Sequence, residues 1–185
     1  AFTTPGNYNV QLIAFENAAC ADTALKTITV NALPQVGLSP RDTVICKGDV
    51  ITLQANDGAT YQWTSNNNLP QNNVPALTVS PAQNSFYKVK VTTAAGCVAE
   101  DSLTVTVSQP FDVSVKPAEI TVCAGTTIPL QAVGGVRYQW LPATGLSNGN
   151  SANPLAQPTA TTLYKVLGYG NDQCFTDTAE VRIHI

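Results

Sequence analysis

Methionine is absent from this chain of 185 residues, histidine occurs once, and charged residues make up only 11% of it. A natural chain begins with methionine, so we expect a processed or excised segment of a longer protein. A single histidine and the absence of any CxxC pair argue against a zinc site. The net charge of −3 offers no basic surface for a phosphate backbone, so we expect no nucleic-acid binding and no cofactor.

Long apolar runs and helical periodicity are also missing. No stretch approaches the roughly 20 apolar residues that a membrane-spanning helix needs, so we predict no membrane insertion in this segment. Apolar residues instead alternate with polar ones, as in ITLQA at 51–55, FYKVKV at 86–91 and LTVTV at 103–107. This period of two predicts strands with one buried face, and therefore an all-β protein.

Four of the five cysteines repeat with one spacing. Cys46 and Cys97 are 51 positions apart, as are Cys123 and Cys174, and the second pair lies 77 positions after the first. Cys20 lies 77 positions before Cys97. We predict one disulfide in each copy, Cys46–Cys97 and Cys123–Cys174, with Cys20 unpaired because its partner would precede residue 1. Disulfides indicate an extracellular or cell-surface protein.

The sequence between the cysteines repeats with the same shift. ITLQA at 51–55 corresponds to IPLQA at 128–132, and YQW at 61–63 to YQW at 138–140. We predict three domains: the C-terminal part of one at 1–33, and complete ones at 35–108 and 111–185. The matching apolar positions predict two buried cores, formed by Trp63, Tyr87, Leu53 and Val105 in one copy and by Trp140, Tyr164, Leu130 and Ile183 in the other.

About seven short strands per copy, with a tryptophan on a central strand, predict tandem immunoglobulin-like β-sandwiches. Each cysteine lies beside a strand rather than within one, so we expect the bridge to clamp one end of each sandwich. The tryptophans then fill the core without stacking on the bridge, and their buried indole N–H groups need hydrogen-bond acceptors.

The string YQWLPATGLSNGNSANPLAQPTATTLYKV at 138–166, followed by Cys174 and the strand VRIHI, resembles tandem Ig-like and PKD-like repeats. Such repeats occur in long secreted and cell-surface proteins of the Bacteroidetes, including gliding-motility adhesins exported by the type IX secretion system. Residues 4–30 resemble the last two strands of a PKD domain. The acidic, glycine-rich motif of a full PKD domain does not follow Trp63 or Trp140, so those copies are expected to be Ig-like.

A triplet of Asp, Ser or Thr, and an aliphatic residue occurs four times. It resembles the O-glycosylation sequence of Bacteroidetes, which implies candidate sites at Thr23, Thr43, Ser102 and Thr178. The alternative is that Asp and Thr simply suit the junction between a turn and a strand.

An enzyme is not expected. His184 lies on the terminal strand without a second histidine, so no nucleophile–histidine pair can form. Asn56 and Asp57 could hold calcium, but a turn is the favoured interpretation. The loops at 65–73 and 142–150 carry amides that could bind sugar hydroxyls, yet neither contains an aromatic residue.

We therefore predict a structural stalk of tandem beads that spaces a distal domain from the cell. The alternative is a carbohydrate- or partner-binding module of a secreted hydrolase or an extracellular filament. The expected partners are further domains of the same chain, surface polysaccharide or neighbouring subunits. Residues 1–33 form a predicted hairpin whose unpaired edges need upstream strands of the same chain or a neighbouring chain. Its predicted apolar face comprises Tyr8, Val10, Leu12, Ile28 and Val30.

Overall fold

A computed structural model describes residues 2–17, 20–67, 69 and 73–185, except for the side chains of 15–17, 20 and 21. Every regular element in these residues is a β-strand. The prediction of an all-β protein is confirmed.

The first two strands form a hairpin, β1 (Gly6–Asn17) and β2 (Cys20–Val30). Tyr8 pairs with Ile28 and Leu12 with Ala24. Side chains two positions apart share a face of a strand, so the predicted apolar face is present. Leu12 remains 68% exposed.

The second copy of the repeat contains seven strands. They are β3 (Leu38–Ser39), β4 (Thr43–Cys46), β5 (Ile51–Ala55), β6 (Thr60–Ser65), β7 (Ala76–Val79), β8 (Ser85–Thr92) and β9 (Val98–Ser108). One sheet has the order β3-β5-β7 and the other β4-β9-β8-β6. The pairing of β4 with β9 is parallel and places Cys46 level with Ser108, at the C-terminal end of β9.

The third copy follows the same plan with eight shorter strands. They are β10 (Ser114–Lys116), β11 (Glu119–Thr121), β12 (Ile128–Pro129), β13 (Gln131–Val133), β14 (Arg137–Leu141), β15 (Leu155–Ala156), β16 (Thr162–Tyr169) and β17 (Thr176–His184). The four-stranded sheet has the order β11-β17-β16-β14, and two two-stranded sheets, β10-β13 and β12-β15, provide the other layer. Again the pairing of β11 with β17 is parallel.

Alternating burial along the strands produces the predicted cores. Both tryptophans are 1% exposed. The indole Nε1–H of Trp63 donates to the Val74 carbonyl at 2.8 Å, and that of Trp140 to the Ser151 carbonyl at 2.9 Å. The other predicted core residues are buried as well: Leu53, Tyr87, Val105, Leu130, Tyr164 and Ile183. The predicted immunoglobulin-like sandwich is confirmed.

The chain divides into two compact units that do not follow the copies of the repeat. One comprises Ala1–Asp42, Val50–Val79 and Ser85–Thr104, and the other comprises Thr43–Asp49, Ser80–Asn84 and Val105–Ile185. Strand β4 belongs to the second unit because it pairs with the C-terminal half of β9. The domain boundaries 1–33, 35–108 and 111–185 stay a prediction.

Candidate functional site

The most distinctive site of the described chain is a disulfide between Cys46 and Cys174. Their sulfurs are bonded and their Cα atoms lie 5.3 Å apart, across a sequence separation of 128. The two cysteines belong to different copies of the repeat but to the same compact unit. The predicted pairs Cys46–Cys97 and Cys123–Cys174 are wrong, because Cys97 and Cys123 are free thiols.

Strand direction explains why the predicted pairs do not form. Cys123 follows β11, whose last residue pairs with His184 at the C-terminal end of β17. Cys174 precedes Thr176, where β17 begins. A strand of this length spans about 30 Å, whereas the Cα atoms of a disulfide lie roughly 4.4–6.8 Å apart. The predicted pair Cys46–Cys97 is separated in the same way. Cys97 precedes the first residue of β9, whereas Cys46 lies beside its last residue.

Hydrogen bonds fix the backbone on both sides of the disulfide. The amide of Cys46 donates to the Asp49 carboxylate at 3.0 Å, and the amide of Cys174 donates to the Asp172 carboxylate at 3.2 Å. A hydrogen bond from the Ser108 side chain, followed by the one from Cys174, lowers the pKa of Asp172. The charged carboxylate therefore ties the cysteine turn to the end of β9.

A bond that closes so long a loop has a large effect on the unfolded chain. With a separation of 128 residues, the loop-entropy description gives a stabilisation of about 5 kcal/mol. Cys46 and Cys174 are both partly exposed, Cys97 is partly exposed and Cys123 is exposed. The side chain of Cys20, predicted to be unpaired, lies outside the described residues.

The aspartates of the candidate glycosylation triplets hold backbone amides. Asp42 accepts from Thr104 at 2.9 Å, Asp177 from Val113 at 2.7 Å and Asp101 from Ser102 at 2.8 Å. The hydroxyl residues differ in access: Thr23 and Thr178 are exposed, whereas Thr43 and Ser102 are partly buried. The aspartates thus have a structural role at each junction, and glycosylation stays a prediction.

The remaining polar candidates are engaged in structural contacts. Asn56 accepts from the Gly37 amide at 2.7 Å, and Asp57 accepts from the Gln35 amide. His184 contacts Glu119 at 2.7 Å. Within the described residues, no group of three or more His, Cys, Asp or Glu side chains could hold a metal ion.

The loop at 142–150 packs back onto its own sandwich. The Trp140 amide donates to the Gly149 carbonyl at 2.7 Å, and the Tyr164 hydroxyl donates to the Thr144 carbonyl at 2.9 Å. Burial raises the pKa of Tyr164 above its ordinary value, because the charged phenolate is poorly solvated there. In the other loop, positions 68 and 70–72 lie outside the described residues.

The sequence did not indicate an open depression on the outer surface of β14 and β16. Arg137, Gln139 and Asn150 line it together with Tyr169. The Arg137 guanidinium lies 5.4 Å from the centroid of the Tyr169 ring, and the Tyr169 hydroxyl donates to Gln139 at 3.0 Å. In the sequence, Arg137 and Gln139 are two positions apart on one strand, whereas Tyr169 lies on another strand and Asn150 in the loop between the two strands.

No protein-family model matches this chain, and no curated protein matches it significantly. Among solved structures, three N-terminal domains of the outer capsid protein Hoc of bacteriophage RB49 are 20% identical, with a TM-score of 0.43, and the match covers 82% of this chain and 58% of that one. The insect immune protein hemolin is 15% identical, with a TM-score of 0.43 and coverages of 96% and 56%. The four N-terminal Ig domains of Dscam1 isoform 8.4 are 12% identical, with a TM-score of 0.46 and coverages of 88% and 51%.

These similarities are too distant to assign a ligand or an activity to this chain. The chain also spans only about half the length of each of these structures, at 58%, 56% and 51%. No helix among the described residues has the length and apolar character needed to span a membrane.

Proposed function

We propose that this chain is a non-catalytic structural segment of a secreted or cell-surface protein, in which tandem Ig-like copies space a distal domain from the cell. The observation that carries the proposal is the Cys46–Cys174 bond, because it joins successive copies of the repeat. A covalent tie between neighbouring beads limits their separation, which suits a spacer under load. A disulfide of this kind also requires an oxidising compartment.

The resemblance to surface proteins of the Bacteroidetes supports the same proposal. It suggests an adhesin of the gliding-motility type that leaves the cell through type IX secretion. O-glycosylation at Thr23 and Thr178, the two exposed candidates, would then be added during export.

A carbohydrate-binding module is the second candidate, and the depression beside Tyr169 favours it. Aromatic rings and amide side chains are common in sugar sites, and Gln139 and Asn150 supply the amides. Against this candidate, the Arg137 guanidinium already covers one face of the Tyr169 ring. The ring is therefore a poorer stacking platform than a bare aromatic side chain.

A glycan array and a polysaccharide pull-down with the oxidised chain separate the two candidates. The spacer proposal predicts no saturable binding to any defined sugar. Saturable binding that Tyr169→Ala abolishes, with the Cys46–Cys174 bond intact, would contradict the pure spacer and support the binding module. Leu163→Ala, on an exposed position of the same strand, is the matched control.

A further inference from the structure

Among the described side chains, the free thiols of Cys97 and Cys123 occupy the same places in the repeat as the two bonded cysteines. Cys123 is the counterpart of Cys46, and Cys97 is the counterpart of Cys174, each shifted by 77 positions. The structure therefore shows one bonded example of a pairing that Cys97 and Cys123 are placed to repeat.

The surroundings of Cys123 reproduce those of Cys46. Cys46 is the last residue of β4 and Cys123 lies two residues after β11, and each of these short strands pairs in parallel with the last strand of its copy. Each carbonyl accepts a hydrogen bond from the amide three residues later, from Asp49 at 2.9 Å and from Thr126 at 3.1 Å. The glycine inside each turn has a positive φ, 100° at Gly48 and 81° at Gly125. Cys123 thus lies at the start of the same kind of turn as Cys46.

The surroundings of Cys97 likewise match those of Cys174. Both lie in the turn that leads into the last strand of their copy, β9 or β17. In both turns the cysteine amide donates to a side-chain oxygen of the turn, Thr93 at 3.1 Å and Asp172 at 3.2 Å. The free thiol of Cys97 is therefore held on the same kind of hairpin as the bonded sulfur of Cys174.

We propose that Cys123 and Cys97 form further bonds of the Cys46–Cys174 type with neighbouring copies of the repeat in the longer chain. Cys123 pairs with the hairpin cysteine of the copy that follows it, and Cys97 pairs with the turn cysteine of the copy that precedes it. The bonded separation of 128 residues places the partner of Cys123 at position 251.

Each such bond forms by thiol–disulfide exchange. The two cysteine thiols lose two protons and two electrons as their sulfurs join. A small-molecule or protein disulfide accepts the electrons and protons, its own S–S bond breaks, and it leaves as two thiols.

The resulting bonds overlap along the chain and change how it carries tension. The Cys46–Cys174 bond spans 128 positions, and the next bond of the type that starts beyond Cys174 begins at position 200, which is 77 after Cys123. The shortest covalent path then uses only the 25 residues between Cys174 and position 200 before it crosses another disulfide. The remaining residues of the two copies would be shielded from tension.

The test adds one further copy to the full chain, with residues 109–185 repeated directly after Ile185. The added copy carries cysteines at positions 200 and 251. After oxidation with a glutathione redox buffer, non-reducing peptide mapping should join Cys123 to the cysteine at 251. The cysteine at 200 should remain free, and the Cys46–Cys174 peptide should confirm that the original chain is folded.

The matched control replaces the cysteine at position 251 with serine. Cys123 should then change from protected to fully reactive with a maleimide reagent, while Cys46 and Cys174 stay protected. A bond between positions 200 and 251, or a free Cys123 in the extended chain, would overturn the proposal. A link between Cys123 and Cys97 of two different chains would overturn it as well.

Discussion

Two aromatic positions in each copy of the repeat anchor the fold at the scale of single residues. The hydroxyl of Tyr138 accepts from the Gly135 amide and donates to the Gly135 carbonyl, at 2.9 and 2.7 Å. Tyr61 makes the same two bonds with Gly58, both at 3.1 Å. The YQW string is thus conserved between the copies for a physical reason: its tyrosine closes a turn while its tryptophan fills the core.

Replacing the central tryptophan should severely destabilise its sandwich. Trp140→Ala removes a side chain that is 1% exposed, so we expect the free energy of unfolding to fall by about 3–5 kcal/mol. Trp140→Phe retains most of the volume but leaves the Ser151 carbonyl without its donor, and should cost less. Urea denaturation followed by circular dichroism measures both. An unchanged midpoint for Trp140→Ala would contradict the packing described for the core.

Asp177 should contribute to the acid sensitivity of the chain. The Val113 amide, and then the Thr178 amide, lower the pKa of its carboxyl below the ordinary value of 3.8. Because the charged form is favoured in the folded state, its stabilisation is complete above the ordinary pKa and is lost as the pH falls through the lower folded pKa. The advantage of wild type over Asp177→Asn should therefore be complete above about pH 5 and shrink as the pH falls below that.

Thermal unfolding at a series of pH values measures this effect. Asp177→Ala, which removes the acceptor altogether, should be the least stable variant at neutral pH. Parallel curves for wild type and Asp177→Asn over the whole range would show that the charge of Asp177 has no part in folding.

At the scale of strands and turns, the direction of each strand decides which cysteines can meet. The parallel pairing of β4 with β9 carries Cys46 to the C-terminal end of its copy. Cys174 lies in the turn between β16 and β17, just before β17 begins. The junction between successive copies, rather than the end of one sandwich, is where such a pair of positions is brought together.

The chain passes unusually close to itself at one turn of the third copy. Gly134 has a φ of 103°, and a Cβ added there would lie 2.0 Å from the Asp112 carbonyl oxygen. Gly125 has a comparable φ of 81° but no atom within 4 Å of such a Cβ. Both substitutions by alanine strain the backbone, and only the first also forces β10 and β13 apart.

We therefore expect Gly134→Ala to destabilise the chain by about 1–3 kcal/mol more than Gly125→Ala, because only the added methyl group at Gly134 is overpacked. Chemical denaturation of the two variants beside wild type gives the difference. Equal losses at the two glycines would mean that the approach of Asp112 to Gly134 is not a constraint.

The sequence predicted the strands and cores better than the bonding. Period-two alternation correctly located β5, β8 and β9, because a half-buried strand needs that pattern whatever surrounds it. The cysteine spacing could not determine the pairs, since a shift of 77 makes separations of 51 and 128 equally regular. Choosing between them requires the parallel pairing of β4 with β9, which is a tertiary feature. The surface beside Tyr169 was missed because its residues come from β14, from β16 and from the loop between them, which only the fold brings together.

At the scale of the whole molecule, the central claim is that a disulfide ties successive copies of a structural repeat. The bond encloses residues 47–173 in one covalent loop. On the apolar face of the β1–β2 hairpin, Leu12 is 68% and Val10 is 39% exposed. Upstream strands of the same chain are predicted to pair along the open edges of this hairpin. Adding one copy of the repeat before residue 1 is the N-terminal equivalent of the extension proposed after Ile185.

Pulling single molecules by their two ends, before and after reduction, measures how many residues the disulfide removes from the extensible chain. The Cys46–Cys174 bond removes 127 residues from the extensible path, so reduction should lengthen the fully unfolded chain by about 45 nm. Pairing within each copy would remove only the 50 residues between Cys46 and Cys97 and the 50 between Cys123 and Cys174, which corresponds to about 35 nm. A gain of the larger size supports the account, and a gain of the smaller size, or none, contradicts it.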